Sequence, residues 1–239
     1  MKDKSAVLVA KEGFLQLFNK GDFPSETKLP SEHVMSQLLG VSRETWRKAV
    51  RLLRSEGILI SRHGSGTYVA DHGNRIFNNL SELQSMTKMI ADAGIQERES
   101  NTSCEVKKAP PEVCQFFNVS EETPFFLLRK IRLTDIGVIS ASMNYLPLQY
   151  ADHINMSDPP RSVFAYLETN YQIVIAQALT ELFIPPENDP LRRLLNLPKG
   201  ISPFGFRQSH IDSRGNPILY SLDYLRSDLF NFTIMRTRP

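Results

Sequence analysis

The sequence predicts an α+β protein with two parts: a small helical domain ending in a β-hairpin, and a larger domain built on an antiparallel sheet. Three observations predict this. Apolar residues recur at three- and four-residue spacing before the first hairpin, which is typical of amphipathic helices. A hairpin pattern with a glycine-rich tip follows at residues 58–69. Two strand–turn–strand patterns then recur 79 residues apart, which favours one sheet with helices on one face.

Length and composition indicate a globular protein of one or two domains. The chain has 239 residues, of which 41% are hydrophobic and 23% charged. No apolar run approaches the roughly 18 residues that a membrane helix needs, and the first residues lack the apolar core of a signal peptide. We therefore expect a cytoplasmic protein without membrane association. Cys104 and Cys114 form no metal or redox motif, so we expect reduced thiols, no metal site and no cofactor.

Charge is distributed unevenly along the chain. The net charge is only +2, which by itself does not argue for nucleic acid. Residues 28–70, however, contain seven Lys/Arg and three Asp/Glu. A local basic surface can attract phosphate while the rest of the chain stays neutral, although a solvated basic face is the alternative.

The first 40 residues predict two helices. One spans about residues 5–18 and is broken by Gly21. The second begins after Ser31, whose hydroxyl can accept from free backbone N–H groups at the helix start. It ends near Leu39, where Gly40 suits the left-handed stop position.

A third helix and a hairpin complete the first domain. The helix begins after Ser42 and ends at Gly57, with arginines placed away from its apolar stripe. That stripe consists of Trp46, Ala49, Val50 and Leu53. The hairpin follows, with strands at residues 58–62 and 67–69 around a glycine-containing tip at residues 63–66.

The domain boundaries follow from a polar stretch. We predict a first domain over residues 1–71, a linker over residues 72–79 and a second domain over residues 80–239. The second domain would open with a helix over residues 80–93 that stops at Gly94. Its two repeat copies, each a short helix followed by a hairpin, share six identities in 24 aligned residues, so duplication and chance both remain open. The short helices are placed near residues 110–112 and 185–187.

The first domain has the elements expected of a DNA-binding domain. A major groove admits one α-helix, and the second helix of a helix-turn-helix reaches base edges with its first turns. Ser42, Arg43, Thr45 and Arg47 lie in those turns of the third helix, and arginine can donate two bonds to guanine or phosphate. Taken alone, the arginines of the third helix could form a solvated helix face, and the glycine-containing tip could be an ordinary hairpin turn. The combination in this order favours a winged helix-turn-helix.

These motifs resemble the GntR family of bacterial regulators. The resemblance rests on residues 29–32, 39–43, 45–49, 53, 56–57 and 64–69, whereas Glu44 is unusual for the family. It implies DNA contacts from the start of the second helix, from the third helix and from the hairpin tip, or wing. The family often has arginine where this chain has His33, so a contact there would be weaker and pH-dependent. The predicted DNA-binding residues are Ser31, Glu32, His33, Ser42, Arg43, Thr45, Arg47, His63, Gly64, Ser65 and Gly66.

The second domain contains a set of motifs at residues 93–94, 129–132, 142–147, 162 and 215–224. Through these motifs residues 80–239 resemble the UTRA effector domain of the HutC subfamily. The resemblance implies a fold related to chorismate lyase, with a small-molecule pocket beside the sheet. It places effector contacts at Lys130, Arg132, Ser142, Ser162 and Asp223. Relatives often carry acidic residues at two pocket positions where this chain has none, so the lining fits an anionic, less polyhydroxylated effector. A solvated strand face for the sheet residues, and a helix cap for Ser162, are the alternatives.

Three functions are open from the sequence. The first is an effector-responsive regulator, expected to be a repressor, that binds pseudo-palindromic operator DNA as a homodimer. The second is an enzyme of lyase-like fold, although no nucleophile motif accompanies His210 and Asp212, which we interpret as surface residues. The third is an architectural DNA protein without an effector, which predicts a more basic chain. The first is favoured, and no enzymatic activity is expected.

Overall fold

The computed structural model describes residues 6–19, 21–70, 76–93, 95–98, 101–135 and 137–234. The chain divides into two compact units. The first contains the residues up to Glu82, the segment 89–95 and the residues from Asn231 onward. The second contains residues 83–88 and 96–230. None of the described helices is long and apolar enough to cross a membrane.

Three helices precede the first strands, and short helices then lie between the strands of an antiparallel sheet, as expected of an α+β protein. The helices are α1 (Ala6–Asn19), α2 (Glu32–Leu38), α3 (Arg43–Ser55), α4 (Met86–Asp92), α5 (Pro111–Phe117), α6 (Val163–Tyr171) and α7 (Pro190–Arg193). The strands are β1 (Leu59–Arg62), β2 (Gly66–Val69), β3 (Ile76–Asn79), β4 (Asn101–Lys108), β5 (Pro124–Thr134), β6 (Gly137–Pro147), β7 (Ile175–Phe183), β8 (Pro203–Asp212), β9 (Pro217–Arg226) and β10 (Phe230–Thr233).

The first unit has the predicted three helices and hairpin. α1, α2 and α3 surround a core in which the rings of Phe14 and Trp46 lie 5.7 Å apart. Gly40 follows α2 with φ +65°, a left-handed conformation that costs glycine little. β1 and β2 pair in antiparallel fashion from Leu59–Val69 to Arg62–Gly66, which confirms the winged hairpin.

The segment after the hairpin differs from the predicted linker and helix. Residues 76–79 form strand β3, which pairs with β10 near the end of the chain. The predicted helix over residues 80–93 is reduced to Met86–Asp92, because residues 80–82 form a turn and a bend and residues 83–85 are irregular. Residue 71 of the predicted first domain, residues 72–75 of the predicted linker and the predicted stop at Gly94 lie outside the described residues.

The second unit is built on a six-stranded antiparallel sheet with strand order β4-β5-β6-β9-β8-β7. Each half of the sheet contains, in chain order, an edge strand, a short helix and a hairpin. The halves meet where β6 pairs with β9, and there Met143 lies opposite Leu222, its equivalent in the 79-residue repeat. The symmetric order supports the duplication rather than chance.

Helices cover both faces of the sheet, so the prediction of helices on one face was wrong. α5 and α7 pack on one face, through Val113 and Leu191. α6 packs through Tyr166 and Leu167 against Phe126 on the opposite face, because neighbouring residues of a strand point to opposite sides. The helix predicted near residues 185–187 begins instead at Pro190 and is only four residues long.

Candidate nucleic-acid interface and effector site

The starts of α2 and α3 are capped as the sequence predicted. The Ser31 hydroxyl accepts from the Val34 backbone N–H at 3.3 Å, and the Ser42 hydroxyl accepts from the Thr45 N–H at 3.0 Å. Ser42 Oγ also lies 2.8 Å from Thr45 Oγ1, so both hydroxyls are engaged locally. Because a cap fixes the first turn of a helix, it also fixes where the early α3 side chains project.

The two predicted arginines of α3 differ in their surroundings. Arg47 donates to Glu32 at 2.9 and 3.3 Å and to Glu44 at 3.2 Å. The hydrogen bond from Arg47 lowers the pKa of the Glu32 carboxyl below its ordinary value. Arg43 is exposed and has no hydrogen-bond or ion-pair partner among the described residues. The Arg43 guanidinium is therefore free of side-chain partners among the described residues, whereas Arg47 is engaged by two carboxylates.

The wing presents its predicted residues to solvent. His63, Gly64, Ser65 and Gly66 are all exposed at the tip between β1 and β2. Gly66 has φ +124°, a backbone conformation that side-chain-bearing residues rarely adopt. Tyr68 stiffens the tip, because its hydroxyl lies 2.6 Å from Ser65 Oγ.

Two basic residues that the sequence reasoning missed flank this wing. The Arg62 guanidinium lies over the Tyr68 ring, 4.5 Å from its centroid, and also pairs with Glu26. Lys28 forms an isolated β-bridge with Tyr68, and a Cβ placed on Gly66 would lie 3.0 Å from Lys28 Cε. The signal for Lys28 was absent from local sequence, because it lies nearly 40 residues from the wing.

The predicted effector residues gather on the sheet face that α6 covers. Lys130 on β5, Ser142 on β6 and Asp223 on β9 are consecutive register partners across three strands. Arg132 follows Lys130 on the same face. All four are between 3% and 7% exposed, so none belongs to a solvated strand face.

The Arg132 guanidinium is held by a carboxylate from the chain itself. Its Nη1 atom donates to both Glu97 oxygens, at 2.6 and 2.7 Å. Its Nη2 atom donates to Thr87 Oγ1 at 3.1 Å and to the Arg161 carbonyl at 3.3 Å. Its Nε atom is buried without a partner among the described residues. Burial lowers the pKa of Arg132, and the Glu97 charge opposes that effect.

The Lys130 ammonium shares this environment. It donates to the Arg161 carbonyl at 2.8 Å and lies 3.9 Å from a Glu97 oxygen. Burial and the nearby Arg132 charge lower the pKa of Lys130 to about 8. Ser162, the next residue after Arg161, caps α6 by accepting from the Ala165 N–H at 3.3 Å. Ser162 thus directly follows the residue whose carbonyl oxygen accepts from both cations. Its own hydroxyl caps α6, which is the alternative that the sequence left open for it.

Buried polar side chains on β8 and β9 form a hydrogen-bonded cluster on the same face of the sheet. His210 belongs to this cluster, so its interpretation as a surface residue was wrong. His210 is 2% exposed, and its Nε2 atom lies 3.2 Å from Ser221 Oγ. Ser221 donates to Asp223 at 2.7 Å, and Gln208 also donates to Asp223. Since Ser221 has one proton, Nε2 is the donor to Ser221 and Nδ1 is left as a buried acceptor without a partner among the described residues.

Burial shifts the pKa values of His210 and Asp223 in this cluster. It lowers the pKa of His210 to about 3, so the imidazole is neutral at ordinary pH. Burial also raises the pKa of Asp223, against the opposing hydrogen bonds of Ser221 and Gln208. The arrangement differs from a hydrolase triad, where serine donates to histidine and histidine to the carboxylate. Asp212 is the half-buried last residue of β8, and its carboxylate accepts from the backbone N–H groups of Arg214 and Asn216 in the turn that follows.

Family models match both units of the chain. The model described as bacterial regulatory proteins, gntR family, matches residues 11–69. The model described as UTRA domain matches residues 93–231. The two matches together cover the capped helices, the wing and the whole six-stranded sheet.

Individual proteins agree with these matches. HTH-type transcriptional regulator GgaR of Escherichia coli (strain K12) is 30% identical over 210 residues, which is 85% of this chain and 80% of that protein. HTH-type transcriptional repressor NagR of Bacillus subtilis (strain 168) is 21% identical over 89% of this chain and 86% of that protein. The crystal structure of PhnF from Mycobacterium smegmatis has a TM-score of 0.61 at 20% identity, over 95% of this chain and 99% of that one. The last comparison shows a shared fold.

Proposed function

The chain belongs to the GntR family of bacterial regulatory proteins and carries a UTRA domain, so it is a DNA-binding transcriptional regulator, and we propose that it is a cytoplasmic repressor whose operator affinity changes when an anionic effector binds its sheet. The DNA contacts are assigned to the starts of α2 and α3 and to the wing. The effector contacts are assigned to the buried face around Lys130 and Arg132.

The exposed start of α3 is the observation that carries the DNA assignment. Arg43 and Arg47 project from its first two turns, beside the cap at Ser42. Helix N-termini offer free backbone N–H groups to phosphate, and arginine offers two donors to guanine. Of the eleven proposed contact residues, ten are exposed and Thr45 is half-buried. The proposed contact surface is therefore accessible to a duplex.

The effector assignment rests on buried cations. Lys130 and Arg132 are both buried, and among the described residues they share one carboxylate within 4 Å, that of Glu97, so a second positive charge remains there for an anion to neutralise. Asp223 and the buried Nδ1 atom of His210 add acceptors for a donor group on the same molecule. The effector we propose is a small molecule that combines an anionic group with at least one hydrogen-bond donor.

The DNA assignment is tested with a double variant. Full-length wild-type protein first selects binding sites from a random duplex library. The Arg43→Ala/Arg47→Ala variant is then compared with Arg51→Ala/Arg54→Ala, which removes the same charge from the last turns of α3. The first variant should lose specific binding by about 5- to 150-fold per lost base contact. The second should weaken binding less and equally on all sequences, since charge away from the base edges contacts only phosphate.

The same selection tests the oligomeric state. A two-fold homodimer places two α3 helices about one helical turn apart, so the selected sites should be pseudo-palindromic. Single asymmetric half-sites would contradict the homodimer. Unchanged footprinting by the Arg43→Ala/Arg47→Ala variant would refute the DNA-binding assignment itself.

A further inference from the structure

We propose that the Glu97 carboxylate is an internal stand-in for the effector's anion, which the effector must displace in order to bind; this rests on the proposed effector site. The stand-in would make the protein sense anions by competition within its own chain. It would also connect effector binding to the segment 89–95, which lies just before Glu97 in the chain.

The contacts of Glu97 are those that an anionic ligand would make. Both of its oxygens accept from Arg132 Nη1, at 2.6 and 2.7 Å, and one lies 3.9 Å from the Lys130 ammonium. The Glu97 side chain is only 17% exposed, and those of Lys130 and Arg132 are 4% and 6% exposed. A carboxylate sits where the buried cations converge, so a second anion would share those donors with it.

Displacement is favoured over addition of a second anion beside Glu97. The Nη1 donors of Arg132 are already used by Glu97, and like charges at this depth repel strongly. Lys130 lies beyond hydrogen-bond distance from Glu97 and donates to the Arg161 carbonyl instead. A tetrahedral anion has enough oxygens to accept from Lys130 and Arg132 together, whereas the tethered carboxylate reaches only Arg132. An anion with more acceptor oxygens therefore competes well.

The position of Glu97 in the chain gives the displacement a consequence. The chain leaves the second unit between Lys88 and Met89 and re-enters it between Ile95 and Gln96. Thr87, two residues before the first crossing, and Glu97, two residues after the second, both bond to the Arg132 guanidinium. Arg132 thus holds both ends of the segment 89–95. An anion that replaces Glu97 releases one end, and a ligand that binds two chain arrangements unequally shifts their populations.

The test titrates full-length protein with inorganic phosphate, with potassium chloride holding ionic strength constant. Glu97→Ala removes the stand-in, and Glu97→Gln removes its charge but keeps an acceptor for Arg132, so the second variant carries the test if the first does not fold. Glu121→Gln is the matched control, since Glu121 is exposed in the turn before β5. We expect the dissociation constant for phosphate, measured by calorimetry, to fall at least tenfold in Glu97→Ala and several-fold in Glu97→Gln, with no change in the control.

The outcomes separate this proposal from the effector site on which it rests. Tighter binding in the Glu97 variants that disappears when Lys130→Ala/Arg132→Ala is added supports both. Equal binding by wild type and Glu97 variants, lost in Lys130→Ala/Arg132→Ala, keeps the effector site and overturns the stand-in. Absence of phosphate binding in every variant overturns the anion site and the stand-in together.

Discussion

The ion pairs of Arg47 yield a prediction with a defined sign: Glu32→Gln should tighten operator binding. Arg47 donates twice to Glu32, at 2.9 and 3.3 Å, and a DNA-contacting Arg47 must give up those bonds. Both side chains are about half exposed, at 48% and 49%, so water screens the pair. Exposed ion pairs shift an equilibrium constant by up to about five-fold, so the expected gain in affinity is about two- to five-fold.

Fluorescence anisotropy with a labelled, selected duplex at fixed salt measures this gain. Asp22→Asn, an exposed carboxylate elsewhere in the first unit, gives the effect of net charge alone. In the Arg47→Ala background, Glu32→Gln should gain no more than Asp22→Asn does, because no guanidinium is left to release. If Glu32→Gln instead weakens binding in the wild-type background, Glu32 acts in the DNA-bound state, either through its own proposed DNA contact or by holding Arg47 in position, and the reasoning is refuted.

Two further predictions concern buried charges. The pKa of Lys130 is about 8 with Glu97 in place and should be lower in Glu97→Ala, because the Glu97 charge no longer raises it. Phosphate binding by this variant should therefore weaken as the pH rises from about 6 to about 9, because Lys130 loses the proton that attracts an anion, and a calorimetric pH series that stays flat over that range would contradict this. Lys11→Ala should destabilise the protein by about 3–5 kcal/mol in chemical denaturation, because the 6% exposed Lys11 donates to Glu56 at 2.7 Å and that carboxylate would be left buried and unpaired. Lys11→Met combined with Glu56→Gln removes both charges but keeps the packing of a long side chain, and it should recover most of the loss; if it does not, the unpaired carboxylate is not the cause.

The features that sequence predicted best depend on near neighbours. The caps at Ser31 and Ser42 bond to N–H groups three residues away, and Gly40 ends α2 through its own backbone angles. The wing likewise needs only a short turn between two strands. Such interactions are encoded within a few residues, so a reading of local pattern finds them.

Both edges of the large sheet escaped the sequence pattern. β4 carries mostly polar and charged residues, and β7 contains alanine, leucine and glutamate, which are common in helices. Each is a strand because a neighbouring strand supplies its backbone hydrogen bonds, β5 for β4 and β8 for β7. Pairing with a distant segment overrode local preference there, as it often does in sheets.

The sequence by itself determined the winged helix-turn-helix of this protein. Through its family resemblance it also determined the positions of Lys130 and Arg132 in the proposed effector site. Only the tertiary structure decided that these cations are buried and that Glu97 is the carboxylate that meets them. Arg132 and Glu97 are 35 residues apart, and nothing in the local pattern of either joins them. The folded chain buries most of both side chains, so neither charge is fully solvated. A desolvated charge requires a partner of opposite charge, and only the fold brings two residues so distant in sequence together.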